Sequence, residues 1–427
     1  MSAARRGKTN LPAKIALTIF LAVCAAALVS RHEFYVTAMA SVFFSIALLS
    51  VVIIHLRVRP FWQDVLLIIV SAAALGGIEL GVLGFRLHGI VWMSFIGVGS
   101  LVVLGMRVVW GEGEDGRVLQ QGFFAACLFL ISEYYATALL DFTERAHPKV
   151  LDLYLYSFDS SLHVQLAFAM GQAFLRWAEL RAAGVFFYIA LPFAIACIYA
   201  GQLVRRRKKS AGTLAAFLIA GPLGVVFYNL FPAMGPIHVF RSVFPWHPLN
   251  YNQGSRLYLE ALRLPGPRNA IPSLHMAWVL LAWWLSKGCS WWERVLAALF
   301  VAFTALATLG TGEHYFVDLI VAFPFALMIM GLCAFDLPWQ NAARLRASFY
   351  GLLATLAWIV ALRYEIRVFW LSPIISWTAC AATVALAVIL ERRLWQADSM
   401  GSEESASHLP PAISCEPTAP EPRPFQA

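Results

Sequence analysis

The chain has 427 residues, of which 60% are hydrophobic and only 13% charged, and it carries a net charge of +8 with a mean hydropathy of +0.70. So apolar a composition excludes an ordinary soluble domain and points to an integral membrane protein. The basic residues fall in loops between apolar runs, so the positive balance reads as a topology signal and not as a nucleic-acid-binding face.

Apolar runs recur at 15–30, 34–54, 65–83, 90–109, 118–140, 184–204, 211–231, 271–286, 294–311, 315–333 and 349–362, with a last one ending near Leu390. A helix needs roughly 20 residues to cross a ~30 Å hydrocarbon core, so the runs predict about twelve spans in an all-α polytopic fold. Those at 271–286 and 349–362 are short for that task. The first run follows Arg5, Arg6 and Lys8, but no small-residue cleavage site leads into a soluble domain, so an uncleaved span is expected. With the N-terminus inside, more Lys and Arg fall on cytoplasmic loops than on outer ones. The run Arg205-Arg206-Arg207-Lys208-Lys209 is the strongest single vote for this orientation.

Residues 1–110 read as an accessory transmembrane block, with Glu79 as its obvious ionisable exception, taken to reach the interface. The Gly- and Glu-rich stretch 110–116 is expected to be a turn-rich cytoplasmic seam. Residues 151–181 are too polar to span, yet carry Leu153, Leu155, Phe158, Leu162, Leu166, Phe168, Phe174 and Trp177. They are expected to form an interfacial amphipathic segment on the outer side, with Asp152, Asp159 and His163 on its solvated face. The outward loop 232–270 is the longest polar stretch between spans, a length that is often functional. Residues 334–395 should hold two further spans, and 396–427, rich in Ser, Glu and Pro, a disordered cytoplasmic tail. The seven cysteines have no paired spacing, so neither a zinc site nor a disulfide framework is expected.

Ionisable groups on apolar segments are functional suspects, and His275, His314 and Asp318 stand out. The helical hairpin between the two histidines has legs of roughly 24–27 Å at about 1.5 Å per residue, so His314 returns to the face His275 left. Gly310 and Gly312 should break the outgoing helix, and a new helix near His314 would put His314 and Asp318 on one face. Asp318 would hold one ring nitrogen of His314 protonated, the other would attack phosphorus, and His275 would protonate the leaving oxygen. The free N–H groups at the start of the His275 helix suit phosphate oxygens, and nearby arginines would stabilise the transferring charge. Taken singly, each histidine also reads as an interfacial polar cap. A His314–Asp318 metal pair lacks third and fourth ligands, so no cofactor is implied.

Pro272-Ser273-Leu274-His275 and His314-Tyr315-Phe316-Val317-Asp318 resemble the second and third signature motifs of the type 2 phosphatidic acid phosphatase superfamily. Leu274, where Gly is commoner, is similar to the branch containing inositol phosphorylceramide synthase, and so is Tyr228-Asn229-Leu230-Phe231-Pro232-Ala233-Met234-Gly235-Pro236. The resemblance covers about 118–333 and implies a six-helix catalytic core there, with His314 as nucleophile through a phosphohistidine, Asp318 as its partner and His275 as the acid. Two departures matter. The Lys- and Arg-Pro-bearing first signature is absent, and Thr308 stands six residues before His314 where an arginine is usual. Phosphate would then be held by Arg268, with Arg241, Arg256 and Arg263 behind it, and by Ser273.

These readings together predict a lipid phosphotransferase or phosphatase acting on a lipid or polyprenyl phosphoester at the non-cytoplasmic face of a bacterial-type inner or plasma membrane. An alcohol acceptor would make it a head-group transferase of the inositol phosphorylceramide synthase type; water would make it a phosphatase. The partners expected are the lipid phosphoester, a possible alcohol acceptor and the bilayer, with no nucleic acid. The competing classes are a multi-span transporter and a scaffold that has lost catalysis.

Overall fold

Residues 42–58, 61–78, 81, 89–110, 113–205 and 210–407 are described by a computed structural model, and they are almost wholly helical. Helices α1 (Val42–Val58), α2 (Trp62–Ile78) and α3 (Gly89–Trp110) come first, α3 packing on both of the others. A buried polar knot ties them. The Asp64 carboxylate receives Arg107 at 2.5 Å and lies 3.3 Å from His55 Nε2, while His55 Nδ1 meets Ser100 at 3.0 Å. Pairing of this kind is what lets ionisable groups sit within an apolar helix bundle. Glu79 and residues 15–30 lie outside the described residues. The expected loop at 110–116 is shorter than its composition suggested, because α4 (Gly113–Ala146) is already helical at Gly113.

After α4 come β1 (Lys149–Val150), α5 (Asp152–Ser161), α6 (Leu166–Arg176), α7 (Ala178–Ile189), α8 (Leu191–Val204) and α9 (Ser210–Leu230). The short α10 (Pro236–Phe240), α11 (Tyr251–Gly254) and β2 (Leu262–Arg263) follow within the long loop. The chain then continues through α12 (Leu274–Leu285), α13 (Trp291–Gly310), α14 (Phe316–Leu332), α15 (Ala342–Tyr364) and α16 (Pro373–Ser407). β1 and β2 pair antiparallel, Lys149 opposite Arg263. The run 184–204, expected as one span, is a pair of helices bent by 51°. Pro192 lies in the first turn of α8, where its missing N–H costs nothing but cannot continue α7. Residues 396–407, expected as disordered tail, continue α16 to Ser407, since Gln396, Ala397, Met400 and Glu403 are good helix formers; 408–427 lie outside the described residues.

α12 is the hub, packed by α8, α9, α13 and α14. Leu274, Met276, Ala277, Val279, Leu280, Leu281, Ala282, Trp284 and Leu285 are all buried, as a helix that is apolar all round must be. One apolar core runs from Leu155 on α5 through α12 and α14 to Trp358 on α15 and Leu394 on α16. At the end of the fold away from His275, Glu293 of α13 is fully buried and receives both Arg57 of α1 at 2.5 Å and Arg205 at 2.8 Å. This charge-assisted clamp fastens the accessory helices to the rest.

Among the described residues four helices, Ser210–Leu230, Trp291–Gly310, Ala342–Tyr364 and the part Pro373–Ser399 of α16, are long and apolar enough to cross a membrane, and the bent α7–α8 pair makes a fifth if it is one span. Their exposed apolar side chains, among them Phe349, Leu353 and Val360 on α15, suit a lipid-facing surface. The chain is an integral membrane protein. The expected count of about twelve includes the run 15–30, which lies outside the described residues, and runs whose helices are shorter, with 17 residues each in α1, α2 and α14 and 12 in α12; the run 349–362, expected to be short, is part of a full 23-residue helix.

Candidate active site

Ser273 is the N-cap of α12: its backbone is extended and its Oγ accepts the Met276 N–H at 3.4 Å, a preferred way to satisfy a helix's free first donors. This puts His275 in the first turn. The ring of His275 is stacked on Tyr188 of α7, centroids 3.9 Å apart and 18° from parallel, with Trp278 edge-on at 6.1 Å. Two aromatic neighbours on different elements fix the imidazole plane.

His314 lies in the turn between α13 and α14. Gly312 has φ +79°, a left-handed conformation that glycine adopts without a Cβ penalty, and the His314 N–H donates to Thr308 C=O at 3.1 Å. α14 begins at Phe316, two residues later than His314, so the pair is not carried on one helical face as expected. The contact forms nonetheless: Asp318 accepts the Tyr315 N–H at 2.8 Å, and the same Oδ2 lies 3.4 Å from His314 Nδ1. Both residues are buried. The contact does not meet hydrogen-bond geometry, and His314 Nδ1 and Asp318 Oδ1 have no hydrogen-bond partner. The two motifs meet through the backbone, the Ser273 N–H donating to the Asp318 carbonyl at 3.2 Å.

Two carboxylates read from the sequence as solvated are the braces of this site. Asp152 and Asp159 on α5 are both fully buried, which corrects the reading of α5 as an interfacial helix with a wet acidic face. Asp152 accepts the Met234 N–H at 3.1 Å, the Gly235 N–H at 2.8 Å and the Tyr315 hydroxyl at 3.3 Å. Asp159 accepts the Phe316 N–H at 2.8 Å and the Val317 N–H at 3.2 Å. It thereby satisfies free donors at the start of α14, beside Asp318, where negative charge also complements the helix dipole. The signal was their spacing of seven, two helical turns, which puts both on one face of α5. His163 is exposed, as expected.

The segment 228–236 reaches the same place. Gly235, at φ +131°, passes so close to the Glu313 carbonyl that a Cβ would overlap it. The Ile237 N–H donates to Gly312 C=O at 2.9 Å, and the Ala270 N–H to Ala233 C=O at 3.1 Å. Backbone hydrogen bonds therefore lace the 233–237, 270–273 and 312–318 segments into one unit.

The arginines are arranged differently from expectation. Arg268 is buried, and its guanidinium donates to the carbonyls of His147 at 2.7 Å and Leu264 at 2.8 Å, to the Gly266 carbonyl, and to Met234 Sδ at 3.7 Å. Most of its donors are thus committed to holding the loop 232–270. Arg241, Arg256 and Arg263 are exposed. Among the described residues, no hydrogen bond or ion pair joins an arginine to His275, His314 or Asp318. Thr308, where the family pattern has arginine, is buried with its hydroxyl on Ala305 C=O.

Burial raises the Asp152 carboxyl from 3.8 to about 6, against the lowering effect of its two backbone donors. The folded state thus holds this proton more tightly than the unfolded chain. Its contribution to stability is full below pH ~4 and is lost as pH rises through about 6, a loss of about 3 kcal/mol at 1.36 kcal/mol per unit. We expect thermal unfolding in detergent to show this slope in the parent protein and to lose it in Asp152→Asn; an unchanged slope would assign it to other groups.

Residues 153–332 match the family model described as PAP2 superfamily. The match supports that superfamily for this part of the chain. The PAP2 segment begins inside α5 and ends with the last residue of α14, so it contains Asp159, His275, His314 and Asp318 and leaves out α4, which the expected 118–333 core had included. No curated protein and no solved structure matches the chain. The PAP2 match supports an enzyme of the phosphatase or phosphotransferase type on lipid phosphoesters.

Proposed function

We propose that the chain is a membrane phosphoryl-transfer enzyme that uses His314 as nucleophile on a lipid phosphoester at the outer leaflet, most closely a head-group transferase of the inositol phosphorylceramide synthase type. The observation that supports this is the meeting of His275, His314 and Asp318 through the Ser273–Asp318 backbone bond and the 3.4 Å His314–Asp318 contact. In this reading Asp318 faces Nδ1 of His314, so Nε2 carries the attacking lone pair. The phosphorus–oxygen bond to the lipid breaks as the nitrogen–phosphorus bond forms, and His275 delivers a proton to the departing oxygen. An acceptor hydroxyl then takes the phosphoryl group and His314 recovers its electron pair. The N-terminus of α12 with Ser273, together with Arg241, Arg256 and Arg263 on the outer loop, receives the phosphate, while Arg268 braces that loop.

The test is turnover by the purified protein in phosphatidylcholine vesicles containing ³²P-labelled phosphatidic acid or phosphatidylinositol, with and without ceramide or diacylglycerol as alcohol. Label appearing in a new lipid only when the alcohol is present supports the transferase; label released to water, as inorganic phosphate from phosphatidic acid or as inositol phosphate from phosphatidylinositol, supports the hydrolase. If neither forms, and labelled lipid crosses the bilayer equally fast with the parent and with His314→Ala, the transporter reading takes its place.

A further inference from the structure

Next to the nucleophile stands a second histidine–carboxylate pair that the phosphoryl-transfer reading leaves without a task. His238 Nε2 on α10 lies 3.4 Å from Glu313 Oε2, and the two side chains are 36% and 33% exposed, whereas His314 is 2% exposed. Glu313 immediately precedes His314 in the chain. The pair is not a chance surface contact. Its two strands are bonded backbone to backbone by Ile237 N–H to Gly312 C=O at 2.9 Å. Gly235 is pressed against the Glu313 carbonyl, and Asp152 anchors Gly235 from below at 2.8 Å. Glu313 also acts electrostatically on Tyr188, the ring stacked on His275 at 3.9 Å. The pair therefore stands beside the segment that carries His314 and is far more exposed than His314 itself.

We propose that His238 and Glu313 form the acceptor subsite, where a hydroxyl compound, an alcohol or water, is bound and deprotonated for attack on the phosphorylated His314; this rests on the phosphohistidine reading. With Nε2 of His238 donating to Glu313, Nδ1 is the basic nitrogen. As the acceptor oxygen bonds to phosphorus, its proton passes to Nδ1 of His238. The phosphorus–nitrogen bond to His314 breaks and its electron pair returns to the imidazole. Glu313 stabilises the imidazolium on His238, and the partial exposure of the pair lets the proton leave to solvent. The hydrogen bond that His238 donates to Glu313 raises the His238 pKa against the lowering effect of burial, and Asp152 adds to the rise. A raised pKa makes the imidazole the stronger proton acceptor. Glu313 acts through His238 and is a positioning residue.

The two half-reactions separate this role from a structural one. The full-length protein in phosphatidylcholine vesicles is mixed with ³²P-phosphatidic acid or ³²P-phosphatidylinositol, and protein-bound label is followed by rapid quench, first as it forms and then as unlabelled donor chases it. His238→Gln and Glu313→Gln are expected to acquire label at the parent's rate and to lose it about 100-fold more slowly, with Glu313→Asp recovering much of the discharge. Discharge at the parent's rate in both variants overturns the proposal, and so does a loss of labelling in both with discharge unaffected in Glu313→Asp. A parent that never acquires label, or label retained in His314→Ala, overturns the phosphohistidine reading itself and removes the acceptor role with it.

Discussion

Replacing His314 by alanine is expected to lower turnover by about 10⁴-fold or more, the scale seen when a nucleophile is removed and only binding and electrostatics remain. Nothing nearby substitutes for it. His275 is held by stacking on Tyr188, and Asp318 is turned toward the Tyr315 N–H. His275→Ala is expected to fall less for donors whose leaving oxygen is already acidic, because such an oxygen needs no proton at the transition state, and to fall fully for an alkoxide leaving group. Steady-state rates for a nitrophenyl phosphoester and for an alkyl phosphoester, measured on both variants, separate the two roles. Equal losses on both donors for His275→Ala would argue against its being the acid.

The second large effect concerns stability. Asp159→Ala strips the Phe316 and Val317 N–H groups of their acceptor at the point where α14 starts. An orphaned buried donor costs about 1–3 kcal/mol, so the loss is about 2–6 kcal/mol before relief of the buried charge is set against it. That relief is real, since burial holds the Asp159 carboxyl well above its ordinary range. Asp159→Asn keeps one acceptor oxygen and should lose roughly half as much. The melting temperature of the purified protein reads both, and it should fall in the order parent, Asn, Ala. An Ala variant as stable as the parent would mean that α14 needs no brace.

Much of this was legible in the chain. Hydropathy marked α9, α13 and the span of α16, because lipid-exposed helices must be apolar at nearly every position. The His275 and Asp318 motifs were legible because ionisable groups are rare on such segments. What was lost followed from averaging. In 151–181 the acidic residues among apolar ones look like a wet face, and only the fold shows that α5 turns Asp152 and Asp159 inward to meet backbone donors from distant segments. Sequence distance also hid the Arg268 role: its acceptors His147, Leu264 and Gly266 are backbone carbonyls, and a carbonyl has no sequence signature. The pairing of His238 with Glu313 joins residues 75 apart, and the link between them is a backbone bond at Gly312 that no motif records.

The central claim is covalent chemistry at His314, and rapid-quench labelling with a ³²P-lipid donor followed by peptide mapping tests it most directly. Protein-bound phosphate is expected that survives alkali, is lost in acid, maps to the peptide containing His314 and is absent from His314→Ala. Label on a different residue, or turnover by His314→Ala at the parent's rate, would contradict it.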